Sequence, residues 1–211
     1  LAVLKSALIL GASGLVGQNL LRLLLLDPRY ESVTCLLRRP LGRQHYQDPD
    51  NKLRPVVIDF DTLDEYQGYF SVDHVYCCLG TTLKKAGDIR AFRKVDFEYV
   101  HVAAQLARAQ RANGFVWISS VGANANSKNY YLRVKGELEN AIMRMPQLPN
   151  AAAVRPGVLI GERPNDNRPL ERFGAGMMQL LKPLLIGRLK KYRAVYPHQV
   201  AREMMRHQSF K

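Results

Sequence analysis

Short apolar runs alternate with longer stretches whose leucines and alanines recur at helical spacing, and this rhythm fills most of the 211-residue chain. Runs of strand length fall at 7–10, 32–37, 53–58, 74–79, 115–119 and 151–155. Between them, leucines over 16–26, an alanine-rich face over 89–112 and an amphipathic stretch over 132–145 predict helices in the crossovers. Such β-α alternation argues for an α/β fold with a doubly wound parallel sheet covered on both faces. The polar stretch 42–52 reads as a loop.

After Arg155-Pro156-Gly157 the pattern changes. Residues 162–169 are rich in Arg, Pro, Asn and Asp and read as a loop, 177–186 is apolar, and 199–207 reads as a closing helix. The expectation is one domain over 1–211 in which 162–211 forms a small C-terminal cap. In open α/β sheets ligands bind outside the carboxyl ends of the strands, so that cap would face substrate.

Composition narrows the reading. With 47% apolar and 23% charged residues the chain suits one well-buried core. No run of about eighteen apolar residues occurs, so no spanning helix is expected, and the apolar opening has a strand pattern rather than that of a signal peptide. A cytoplasmic protein is the expectation. Cys35, Cys77 and Cys78 lie in or near apolar runs and read as reduced core residues; none forms a metal-ligand spacing with the five histidines, so no metal site is expected. The formal charge of +13 draws anions. Its basic residues are spread without an aromatic-interleaved module, which predicts non-specific affinity for nucleic acid at low salt and no specific nucleic-acid function. The basic stretch 188–193 beside apolar Leu184, Leu185 and Ile186 would suit a peripheral membrane contact, but Pro183 interrupts any long helix and a buried cap explains the same residues.

The chemistry centres on Gly11-Ala12-Ser13-Gly14-Leu15-Val16-Gly17, a glycine turn between a strand and a helix. Residues without Cβ permit the tight turn and the close approach of a pyrophosphate, whose charge is met by free backbone N–H groups and the helix dipole. Ser13 can add a phosphate contact. The second strand ends in Leu36-Leu37-Arg38-Arg39, where an acidic side chain would favour NAD(H). Two guanidiniums there favour a 2′-phosphate instead, so NADP(H) is preferred and NAD(H) remains open; the plain alternative is solvated surface charge. Asp59-Phe60 after the third strand can accept from an adenine amino group and line its ring, or Asp59 can cap a helix. Leu79-Gly80-Thr81 after the fourth lets backbone pass close to a ribose.

Tyr131 and Lys135 lie one helical turn apart and can share a face. A phenol, with an ordinary pKa of about 10, becomes a usable acid/base when a neighbouring ammonium stabilises its phenolate. Ser119-Ser120 ends the fifth strand on the same side, with Ser120 the choice for holding a carbonyl oxygen and Ser119 the alternate. Tyr130, five residues from Lys135, diverges from it. Asp96 on the long helix reads as structural, able to anchor a water or backbone group.

These motifs resemble the short-chain dehydrogenase/reductase superfamily over 6–161, through the glycine turn, Ser120, Tyr131, Lys135 and Arg155-Pro156-Gly157. Within it, Leu79-Gly80-Thr81-Thr82, Ser119-Ser120-Val121-Gly122-Ala123, Tyr131-Leu132-Arg133-Val134-Lys135-Gly136-Glu137 and Gln199-Val200-Ala201 are similar to the atypical, Tat-interacting-protein-like NAD(P)-binding branch. The resemblance implies a Rossmann fold, NADP(H), and hydride transfer to or from a small carbonyl or alcohol. Tyr131 would be the acid/base, Lys135 would hold the nicotinamide ribose, Ser120 would orient the substrate oxygen, and Pro156 would border the cofactor. The superfamily often adds an asparagine before the fifth strand; Asp96 stands near that place. The branch also includes regulators, so an NADPH-binding sensor acting through a protein partner is the alternative, and a homodimer through the long helices is conceivable by analogy.

Overall fold

The computed structural model describes residues 3–42, 46–160 and 195–209. Among them are six strands: β1 (Lys5–Leu10), β2 (Tyr30–Leu37), β3 (Leu53–Val57), β4 (His74–Cys77), β5 (Gly114–Ile118) and β6 (Ala151–Val154). All neighbours pair in parallel, in the order β3-β2-β1-β4-β5-β6. Strand order reverses between β1 and β4, which leaves a crevice at their carboxyl ends.

Two layers of helix cover the sheet because its strands are apolar on both faces. Ala7 and Ile9 of β1 point into one cluster with Leu20, Leu21 and Leu24 of α1 (Leu15–Leu26). Leu8 and Leu10 point the other way, to Val100, Ala103 and Ala107 and to Leu138 and Ile142. Those belong to α4 (Tyr99–Ala109) and α5 (Tyr130–Met143). The last helix, expected at 199–207, runs from Pro197 to Arg206 as α6 and buries Val200, Ala201 and Met204 against α1 in the first cluster. The loop expected at 162–169 and the apolar stretch at 177–186, the core of the expected cap, lie outside the described residues.

The helix expected over 89–112 is interrupted. α3 (Ile89–Arg93) passes into a π-helical turn, Lys94–Glu98, before α4 begins. Upstream, Leu83–Ala86 forms the single turn α2, and Phe60–Phe70 is a 3₁₀ segment that Asp59 caps by accepting from the Asp61 amide.

Candidate dinucleotide and catalytic site

The glycine turn sits where β1 meets α1, at the strand-order reversal. Gly11 has φ +83°, and a Cβ there would lie 2.8 Å from the backbone carbonyl carbon of Cys78, so only glycine lets the turn lie against the end of β4. Gly14 is the N-cap of α1 and has no side-chain cap, and no acidic residue occupies the first turn. The amides at this helix start, with the positive end of its dipole, therefore fit an anion. Ser13 and Gly14 are exposed at the mouth, Leu15 is half-buried, and Val16 and Gly17 are buried behind it.

A cleft runs from this turn along the strand ends, lined by Gly11, Ser13, Gly14, Leu36, Leu37, Arg38, Phe60, Cys78, Leu79, Gly80, Val95 and Tyr99. Phe60 and Tyr99 face each other at 5.7 Å between ring centroids and form an aromatic end suited to a base. Arg38 and Arg39 are both exposed, and of the two only Arg38 lines the cleft. Asp59 is exposed too, and its Oδ1 accepts from the Asp61 amide as the cap of the 3₁₀ segment. A larger, shallow groove of about 700 Å³ lies at the opposite edge, between α1 and α6, away from every one of these residues.

Lys135 emerges from α5 beyond Gly80: a Cβ on Gly80 would come 4.0 Å from Lys135 Nζ and 3.6 Å from Asp96 Oδ1. The ammonium lies 2.7 Å from Asp96 Oδ1, and the two side chains are only 3% and 1% exposed. It also donates to the Ile118 carbonyl at the end of β5, at 3.3 Å. The other Asp96 oxygen accepts from the Thr81 amide at 2.7 Å, fixing the loop after β4. Burial by itself lowers the Lys135 pKa, but the attraction of the Asp96 carboxylate, with a smaller share from Tyr131 when ionised, outweighs it and leaves the lysine above its ordinary value.

Tyr131 is half-buried in the first turn of α5, its ring 5.7 Å from that of Phe92 on α3. Asn129 caps that turn by accepting from the Leu132 amide. Tyr130 turns away: its hydroxyl donates to the Ile89 carbonyl at 3.3 Å, and Arg133 lies over its ring. Ser120 is half-buried, with Oγ donating to its neighbour's carbonyl at 3.3 Å. The Ser119 hydroxyl is fully buried and has no hydrogen-bond partner among the described residues. Pro156 closes the strand end on this side by accepting from the Val121 amide at 3.0 Å.

Leu36, Leu37 and Cys78, which the sequence offers only as parts of strand ends, also line the cleft, as do Val95 and Tyr99, which the sequence does not single out. The first three lie inside the expected strand runs 32–37 and 74–79, so counting the last two residues of each run as site positions would have found them. Val95 and Tyr99 are four apart, but their approach depends on a π turn that no periodicity announces.

A parallel sheet in this order, with a glycine turn at its switch point and a cleft across it, defines a Rossmann-type nucleotide-binding fold. The chain belongs to the NAD dependent epimerase/dehydratase family, whose profile matches residues 7–193. It is 40% identical over 168 residues to Protein HTATIP2 of Rattus norvegicus, covering 79% of this chain and 67% of that one. It is 33% identical over 181 residues to Protein FMP52-1, mitochondrial, of Scheffersomyces stipitis, covering 83% and 76%. Among solved structures, MoeE5 in complex with UDP-glucose and NAD superposes on 97% of this chain and 72% of its own, with a TM-score of 0.70 at 15% identity, a likeness of fold.

The expected cytoplasmic placement is overturned by these relatives: those of Scheffersomyces stipitis, Debaryomyces hansenii and Candida albicans are named as mitochondrial proteins. The expectation rested on the lack of a spanning run, and a folded domain's composition carries no organelle address. Among the described residues no helix is long and apolar enough to cross a membrane.

Proposed function

We propose that this protein is an NADP(H)-dependent oxidoreductase that interconverts a small carbonyl compound and its alcohol. The observation that carries the cofactor preference is Arg38: of the two arginines after β2, it alone lines the cleft, where a guanidinium meets a 2′-phosphate by charge and by paired hydrogen bonds. The turn at Gly11, Ser13 and Gly14 would hold the pyrophosphate, with Phe60 and Tyr99 beside the adenine. When bound, the dinucleotide supplies or accepts the hydride.

The chain's own residues handle the proton. In reduction Tyr131 gives its phenolic proton to the substrate oxygen as the carbonyl carbon gains the hydride, and in oxidation it takes that proton back. Lys135 would stabilise the phenolate and hold the nicotinamide ribose, and Ser120 would turn its hydroxyl from the Val121 carbonyl to the substrate oxygen. Phe92 fixes the Tyr131 ring. Titration calorimetry with NADPH and NADH, followed by a screen of carbonyl compounds, tests this. Tyr131→Phe is expected to lower turnover about a hundredfold or more while cofactor affinity stays near that of the parent. Retained turnover removes Tyr131 from the reaction.

A second reading, an NADPH-binding regulator that acts through a protein partner, is supported by the resemblance to the Tat-interacting-protein-like branch. It predicts tight NADPH binding with no turnover on any carbonyl and a partner complex that depends on the dinucleotide. Most of the expected cap over 162–211, through which such a partner would be met, lies outside the described residues. From the names of the yeast relatives we also infer a mitochondrial location, which fractionation of the native host's cells would test.

A further inference from the structure

We propose that Asp96 is a positioning residue for this site: its carboxylate holds Lys135 as an ammonium at the Gly80 edge of the cleft and ties the backbone of Thr81 to the same anchor. The inference deepens the function proposed above and rests on it for the identity of the ligand alone.

The geometry is that of a junction. Asp96 lies in the π-helical turn between α3 and α4, a local widening that sets one residue out of the regular helical register. From there its two oxygens reach two different elements, Lys135 of α5 at 2.7 Å and the amide of Thr81 at 2.7 Å. The ammonium has three protons, and its contacts among the described residues are Asp96 and the Ile118 carbonyl. One donor is thus left uncommitted behind Gly80, which has no side chain to cover it.

Stability does not account for the arrangement. A buried ion pair contributes little net free energy, since desolvation of both ions offsets their attraction, and two apolar side chains would fill the same space as well or better. A lone buried lysine, by contrast, sheds its proton, and the other groups acting on Lys135, the Tyr131 phenol and the Cys77 thiol, carry no charge in their ordinary forms. Asp96 is the group that keeps a positive charge in a water-poor site, and through Thr81 it couples that charge to the loop a nucleotide ribose would touch. An uncharged asparagine at this position would leave that task undone.

The test is lysine titration in the full chain, followed by NMR with 13C-labelled lysine, the Lys135 signal being assigned by its loss in Lys135→Met. In the parent, Lys135 is expected to titrate above the ordinary lysine range; in Asp96→Asn, which keeps an acceptor for Thr81, it is expected to titrate at least about one pH unit lower than in the parent. A folded Asp96→Asn protein whose Lys135 titrates as in the parent overturns the proposal. Should Asp96→Asn not fold, Asp96→Glu keeps the charge and displaces it. A fall in NADPH affinity of about threefold or more with Lys135 still charged then supports positioning, and unchanged affinity overturns it. Failure of the parent to bind NADPH would sink the proposed function instead, and the lysine titration would still decide the role of Asp96.

Discussion

Gly17 on α1 faces the carbonyl oxygen of Gly11 so closely that a Cβ would lie 2.1 Å from it and 2.9 Å from the Ala12 Cα. Both obstacles are backbone, held by the Cys78–Leu10 ladder contact on one side and the helix on the other. Gly17→Ala must therefore push α1 away from the turn, at a cost of about 1–3 kcal/mol. Gly14→Ala meets only the Gly11 oxygen, at 3.3 Å, and leaves stability nearly unchanged. Thermal unfolding of the two variants distinguishes them: a marked fall in Tm is expected for Gly17→Ala alone.

Arg38 and Arg39 are adjacent, but the structure separates them. Arg38→Ala is expected to reduce NADPH affinity about tenfold and leave NADH affinity little changed, whereas Arg39→Ala changes neither. Calorimetric titration of both dinucleotides checks this. Equal losses in the two variants would mean that the second strand end contributes diffuse charge and no specific contact.

Most of this architecture is legible in the sequence because buried parallel strands are written as continuous apolar runs. Each of the six strand runs reappears within two residues of its expected ends, and the switch-point cleft follows from their order and the glycine turn. The break in the helix over 89–112 is not legible. Arg93, Lys94, Val95 and Asp96 all tolerate a helix, and the π turn becomes intelligible only with the contacts Asp96 makes to Thr81 and Lys135. Asp96 itself reads as structural in one dimension because its partners lie fifteen and thirty-nine positions away. Asp59 shows the opposite limit: a carboxylate after a strand suits an adenine or a cap, and the cap becomes visible only with the 3₁₀ segment it starts.

Arg155, two positions before Gly157, forms a two-pronged ion pair with Glu139 of α5, Nε donating to Oε1 at 2.9 Å. The glutamate side chain is 7% exposed and the arginine 56%, so the carboxylate depends on its partner for compensation more than the reverse. Arg155→Ala is expected to destabilise the protein by about 1–3 kcal/mol, and Glu139→Gln by less, since an amide tolerates burial better than a carboxylate. Urea unfolding of both, and of the double variant, measures this. Simple additivity would show that the pair is not coupled.

His74 of β4 is fully buried between two tyrosines: its Nδ1 lies 2.7 Å from the Tyr30 hydroxyl, which lies 2.8 Å from that of Tyr76. Its Nε2 is 2.7 Å from the Ser209 carbonyl, which can only accept, so Nε2 carries the proton and Nδ1 accepts from Tyr30. The imidazole is neutral in this arrangement, and burial lowers its pKa below 6.5 although Ser209 and Asp73 pull the other way. The sign follows from the depressed native value of a base. Above about pH 6.5 the folded and unfolded chains are both neutral here, and below it the unfolded chain takes up a proton that the native one refuses. Stability therefore falls as pH drops from about 6.5 toward the native pKa and levels off beneath it. His101, whose pKa burial also lowers, adds a share of the same sign. Asp73, with a depressed carboxyl pKa, acts only in the more acidic range below its ordinary 3.8. Tm measured between about pH 5 and pH 7.5 is expected to decline on the acid side in the parent and to decline less in His74→Gln. An identical decline in both would assign the acid sensitivity to groups other than His74.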